Sequence, residues 1–163
     1  GRRDRNLLER LRAEIDRVND LIYPNINNGV YRCGFATTQE AYEEAFDALF
    51  AALDQIEARL SRQRYLVGNA ITEADWRLFP TLIRFDAVYV GHFKCNRQRI
   101  ADYPNLQNYM RELYGVPGIA ETVKPRYYVI NYWSIARLNP LGIIPKGTPI
   151  ELSLPHDRAR LGN

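Results

Sequence analysis

The chain reads as all-α, and three observations carry that expectation. The stretch from Leu66 to Cys95 holds a helix whose start is specified by side-chain chemistry. The segments Leu7 to Ile22 and Tyr42 to Leu60 each place apolar residues at helical steps of three and four. Strand signals are weak throughout.

The central helix is the best specified. Thr72 is the N-cap residue, its hydroxyl placed to accept from the backbone N–H of Asp75, and Asp75 can accept in return from the N–H of Thr72. Ile71 before the cap and Trp76 at the fourth helical position are spaced as a hydrophobic staple. From Trp76 to Val90 the apolar residues run nearly all round, which predicts a buried helix wrapped by the others.

The remaining elements follow in order. Leu7, Leu8, Leu11, Ile15, Val18, Leu21 and Ile22 form one face of a first helix, which is expected to end near Tyr23 because Pro24 disfavours helical geometry in the residue before it. Asn25 to Gly29 is turn chemistry, and Val30 to Phe35 is expected as loop or a short extended piece. Thr37, with Glu40 three residues on, is expected to cap a long helix running to about Ser61 and packed antiparallel to the first. Asp102-Tyr103-Pro104-Asn105 opens another helix with proline in its first turn; Leu106, Tyr109, Met110 and Leu113 form its buried face, and Val116-Pro117-Gly118 ends it. Ile119 to Val123 is a turn or two. A last helix is expected from about Arg126 to Leu138. Beyond Asn139, Pro and Gly punctuate a segment expected to lie ordered on the surface, held by Ile143, Ile144, Ile150 and Leu152.

Composition narrows the function classes. A length of 163 residues suits one domain with a sizeable core, and 46% hydrophobic with 25% charged residues is ordinary for a soluble globular protein. A net charge of +3 argues against a nucleic-acid or membrane partner, and no apolar run is long enough to span a bilayer. Cys33 and Cys95 make no disulfide framework and fit a reducing, cytoplasmic setting. The start at Gly1, without methionine, is expected of a fragment or excised domain.

No metal site is expected, because His92 and His156 stand far apart and no metal-ligand spacing occurs. Cys33 has Arg32 beside it, one feature of a reactive thiol, although most such cysteines are bystanders. Tyrosine is over-used, with 11 copies, and most are expected to be packing residues. Tyr31 stands out in its glycine-flanked segment, and Tyr132 beside Trp133 in an aromatic-dense helix. A phenol there can donate to negative charge developing on an aromatic ligand.

Longer motifs carry a resemblance. Tyr65-Leu66-Val67-Gly68-Asn69 followed by Thr72-Glu73-Ala74-Asp75 resembles the cap-and-staple signature of the helical C-terminal domain of glutathione transferases. Asn28-Gly29-Val30-Tyr31, Arg84-Phe85-Asp86, Val88-Tyr89-Val90, His92-Phe93-Lys94-Cys95 and Pro117 to Val123 resemble the Xi class, the glutathionyl-hydroquinone reductases. Asn139-Pro140 with Gly142-Ile143-Ile144 resembles that class's C-terminal extension.

The resemblance implies a helical bundle over residues 1–139 with an irregular extension over 140–163, and a separate thioredoxin-like N-terminal domain that binds glutathione and supplies a catalytic cysteine. It implies removal of glutathione from a glutathionyl-hydroquinone, with an aromatic small molecule as substrate and a homodimer as the assembly. By motif, Tyr31 and Tyr132 take the catalytic phenol positions, and Trp133 and Tyr128 are expected to line the substrate pocket. Neither Cys33 nor Cys95 is followed by proline, as the class's nucleophile is, so neither inherits that role. Two alternatives stay open: a non-catalytic assembly domain of the same fold, and a related transferase acting on aryl ethers.

Overall fold

The structure is a computed structural model that describes residues 1–147 and 151–162. Its helices are α1 (Arg2–Ile22), α2 (Gly29–Gly34), α3 (Gln39–Arg62), α4 (Glu73–Arg84), α5 (Pro104–Tyr114) and α6 (Pro125–Trp133). No strand occurs among the described residues, and no described helix is long and apolar enough to cross a membrane.

Helix α4 starts where its cap chemistry puts it. Thr72 accepts from the Ala74 N–H at 3.3 Å, and Asp75 closes the box by accepting from the Thr72 N–H at 2.8 Å. Asp75 does more than cap. It is fully buried, and it also accepts from the Leu66 N–H at 3.1 Å and the Tyr109 hydroxyl at 2.6 Å. One carboxylate thus ties the approach to α4, its first turn and α5 together. Burial pushes its pKa up, and the hydrogen bonds pull the other way. Leu78, Leu82, Phe85 and Val88 behind it are fully buried, as expected of a central element.

The expected single helix to Val90 divides at Arg84. Phe85–Tyr89 forms a π-turn, in which the Val90 N–H bonds the Phe85 carbonyl at 3.0 Å. A matching π-turn, Tyr23–Asn27, follows α1, closed by Asn28 N–H to the Tyr23 carbonyl at 2.8 Å. Pro24 therefore widens the helix rather than ending it.

Several expectations are corrected. Residues 30–35 are not loop: Gly29–Gly34 is a helix, held against α3 by Val30 and Cys33, because packing outweighs poor local propensity. The α3 cap is Thr38, whose hydroxyl accepts from the Ala41 N–H at 3.1 Å, one residue later than expected. Leu7 and Leu8 stay exposed, because the first half of α1 projects beyond the core. Helix α6 ends at Trp133, short of Leu138. As expected, α1 lies antiparallel along α3, Glu14 pairing with Arg59 at 2.6 Å while Val18 and Leu21 face Gln55 and Ile56.

The tail is held by a different residue from those expected. Ile143 and Ile144 are exposed, Leu152 is buried, and Ile150 lies outside the described residues. The main anchor is Arg158, which is 0% exposed. Its guanidinium donates to the carbonyls of Leu60 at 2.7 Å, Gln63 at 2.9 Å and Arg64 at 2.8 Å. Those are carbonyls at the end of α3, where a helix carries partial negative charge and lacks intrahelical donors.

Asp75→Ala strips the acceptor from three part-buried or buried donors, so a loss of roughly 3 kcal/mol or more is expected. Calorimetry should register this as a fall in Tm of about 6–12 °C. Arg158→Met should free the tail: amide exchange over residues 151–162 should accelerate while α4 and α5 keep their protection.

Candidate functional site

Three phenols converge from three elements. Tyr31 comes from α2, Tyr89 from the second π-turn and Tyr132 from the last turn of α6. The hydroxyls of Tyr31 and Tyr132 share a hydrogen bond, and the Tyr89 hydroxyl donates to that of Tyr132 at 3.2 Å. The rings pack around one another, with Tyr31–Tyr89 centroids 6.0 Å apart and Tyr89–Tyr132 5.6 Å apart, edge to face.

Phe93 is the floor under them. Its ring lies 5.6 Å from Tyr31, 5.3 Å from Tyr89 and 5.9 Å from Tyr132. Gly34 explains how α2 sits so close: a Cβ there would lie 2.4 Å from the Phe93 ring. His92 stacks on Phe93, and burial holds its pKa below the ordinary value.

The trio opens on a cleft of about 360 Å³, walled by Asn27, Pro80, Thr81, Arg84, Tyr128 and Asn131. Tyr89 is buried, whereas Tyr31 is 37% exposed, so the network runs from the core to the cleft. Burial and the Tyr132 hydrogen bond raise the pKa of Tyr31, and the same causes push Tyr89 far above an ordinary phenol. Both therefore hold their protons at neutral pH, as hydrogen-bond donors.

Of the four site residues read from sequence, the structure joins three. Tyr31, Tyr132 and Tyr128 share the cleft; Tyr128 is buried, with its hydroxyl on the Ile83 carbonyl at 3.3 Å. Trp133 is a correction. Its indole packs against Gly91 and lies 4.3 Å from His92, with Nε1 donating to the Ala87 carbonyl at 3.4 Å, and it does not line the cleft. Adjacent residues on a helix point in different directions, and the backbone hydrogen bond claims the indole. Tyr89 and Arg84 were not singled out as site residues. Their only signal was membership of motifs read for resemblance.

Cys33 and Cys95 are both buried, and Cys95 Sγ donates to the Phe93 carbonyl at 3.8 Å; the interaction between the two thiols lowers the pKa of Cys33 and raises that of Cys95. Neither thiol reaches the cleft.

Residues 39–112 match the glutathione S-transferase C-terminal domain family. The chain superimposes on the glutathione-bound structure of YqjG from Escherichia coli K-12 with a TM-score of 0.90 and 50% identity, covering 92% of this chain and 49% of that one. This chain is a C-terminal helical domain of the Xi-class glutathione transferases.

Other members agree with that placement. The glutathione-S-transferase Xi from Phanerochaete chrysosporium aligns with a TM-score of 0.86 and 52% identity over 91% of this domain and 51% of that chain. The glutathionyl-hydroquinone reductase PcpF of Sphingobium chlorophenolicum is 56% identical over 137 residues, 83% of this chain and 44% of that protein. The domain thus spans about half the length of these relatives.

A spectrophotometric titration should expose the buried phenols. In the folded state Tyr31 and Tyr89 should ionise above the ordinary phenol value of about 10. Because their folded pKa values are raised, the stability they contribute is complete below about pH 10 and is lost as pH climbs through the folded values. Tyr89→Phe should delete one late-ionising phenol from the absorbance curve.

Proposed function

We propose that this domain supplies the aromatic-substrate side of a glutathione-dependent reductase that removes glutathione from glutathionyl-hydroquinones. The observation that carries the reading is the pair of hydrogen-bonded phenols of Tyr31 and Tyr132 at an open, aromatic-walled cleft. The names of PcpF and of YqjG, both glutathionyl-hydroquinone reductases, support it, as does the glutathione in the YqjG structure. A domain used only for assembly has no need to hold two phenols at an open cleft.

In this reading a thioredoxin-like N-terminal domain binds glutathione and supplies a cysteine thiolate. The thiolate attacks the sulfur of the glutathionyl group, and the bond from that sulfur to the ring carbon breaks. The electron pair stays on the ring. A proton reaches that carbon from Tyr31 or Tyr132, and hydroquinone leaves. A second glutathione then attacks the mixed disulfide, which frees the cysteine and gives oxidised glutathione.

The phenols suit this step because charge builds on the ring only as the bond breaks. A donor fixed at that point stabilises the transition state more than the ground state. Tyr89 holds Tyr132 from behind, which keeps the donor in place without solvent reorganisation. The intact enzyme works in the cytoplasm as a homodimer, with residues 140–163 as an extension on the helical unit of residues 1–139.

Tyr31→Phe and Tyr132→Phe, made in the intact protein, should each lower kcat about 10²-fold on a glutathionyl-hydroquinone. Tyr31→Phe loses one partly exposed hydrogen bond and Tyr132→Phe loses two, so stability should fall by about 1 and about 2 kcal/mol respectively. The double variant should be less than additively impaired, because the two hydroxyls act through one bond. Normal turnover by both single variants would remove the phenols from the mechanism.

A further inference from the structure

The cleft contains a cation that the reaction above does not use. Arg84 is the last residue of α4, and its guanidinium lines the cleft beside the tyrosines. Its Nη1 donates to the Pro80 carbonyl at 2.9 Å, and its carbon lies 5.3 Å from the centre of the Tyr128 ring. One corner of the fork and one face of the plane are thereby held by protein. Among the described residues, Nε and Nη2 have no acceptor and Arg84 has no ion-pair partner. Among the described residues no carboxylate lines the cleft; its other polar groups are phenols, the Asn27 and Asn131 amides and the Thr81 hydroxyl.

Three other arginines packed against the core have their donors taken up. Arg59 pairs with Glu14, Arg97 with Asp54, and Arg158 spends its donors on backbone carbonyls. A half-buried guanidinium that is oriented but unneutralised presents a planar two-donor edge, the complement of a carboxylate. The flanking aromatic rings complement a flat substrate.

We propose that Arg84 is the specificity residue of the cleft, selecting aromatic substrates that carry a carboxylate on the ring. The proposal rests on the aromatic-substrate reading above and adds the charge of the ring substituent. The carboxylate takes the open edge of Arg84, and the ring lies against Tyr128 with its hydroxyls toward Tyr31 and Tyr132. Pairing through the fork also fixes which ring carbon faces the phenols, so Arg84 sets orientation as well as affinity.

The test is binding of a matched pair of probes to this chain at pH 7: 2,5-dihydroxybenzoate, which is ionised, and 2,5-dihydroxybenzamide, which is neutral and of similar shape. The benzoate is expected to bind about tenfold more tightly, with a preference that shrinks as salt is added. Arg84→Gln should abolish the preference and Arg84→Lys should retain part of it, with folding checked by thermal melting. Equal binding of the two probes to the wild-type chain, or a preference that survives Arg84→Gln, overturns the role of Arg84 while leaving the aromatic-substrate reading standing. Binding of neither probe overturns both.

Discussion

The fold depends on a buried carboxylate. Asp75 sits at the first turn of the central helix with no exposure to solvent, and it accepts from the Leu66 and Thr72 N–H groups and from Tyr109. Desolvating a carboxylate costs several kcal/mol, and among the described residues no cation is in direct contact to offset it. It is tolerated because three donors meet it and the helix N-terminus supplies partial positive charge. In return it joins a loop, α4 and α5 at a single point. The π-turn that carries Tyr89 follows directly from the helix that starts at that joint.

Packing then sets the chemistry. Phe93 can serve as a floor for three tyrosines only because Gly34 has no side chain where α2 crosses it. The same close approach brings Tyr31, from a six-residue helix of weak intrinsic stability, to Tyr132 some hundred residues later. Burial raises the pKa values of Tyr31 and Tyr89 further above neutral pH. The order runs from a missing Cβ to a ring stack, and then to a pKa.

Two distant anchors complete the frame by one strategy. Asp75 satisfies N–H groups at the start of α4, and Arg158 satisfies carbonyls at the end of α3. A charged side chain is buried at each, matched to the partial charge of the helix end it meets. Arg158 also explains why a tail with exposed Leu141, Ile143 and Ile144 still lies on the bundle: a polar latch holds it more than apolar burial does.

The sequence by itself determined whatever depends on neighbours along the chain. The Thr72–Asp75 cap, the apolar stripe of α3, the proline start of α5 and the break at Gly118 are local, since three or four residues contain all the groups involved. The motif around Tyr31 and the aromatic density around Tyr132 likewise marked both phenols before any coordinates did. What only the tertiary structure decided is what depends on partners far away in the chain. Helix α2 forms because α3 covers it, Tyr89 joins the phenols because a π-turn aims it there, Trp133 leaves the cleft for Ala87 and Gly91, and Arg158 finds carbonyls nearly a hundred residues upstream. Side-chain direction and burial are set by those long-range contacts, and a linear pattern of residue types does not contain them.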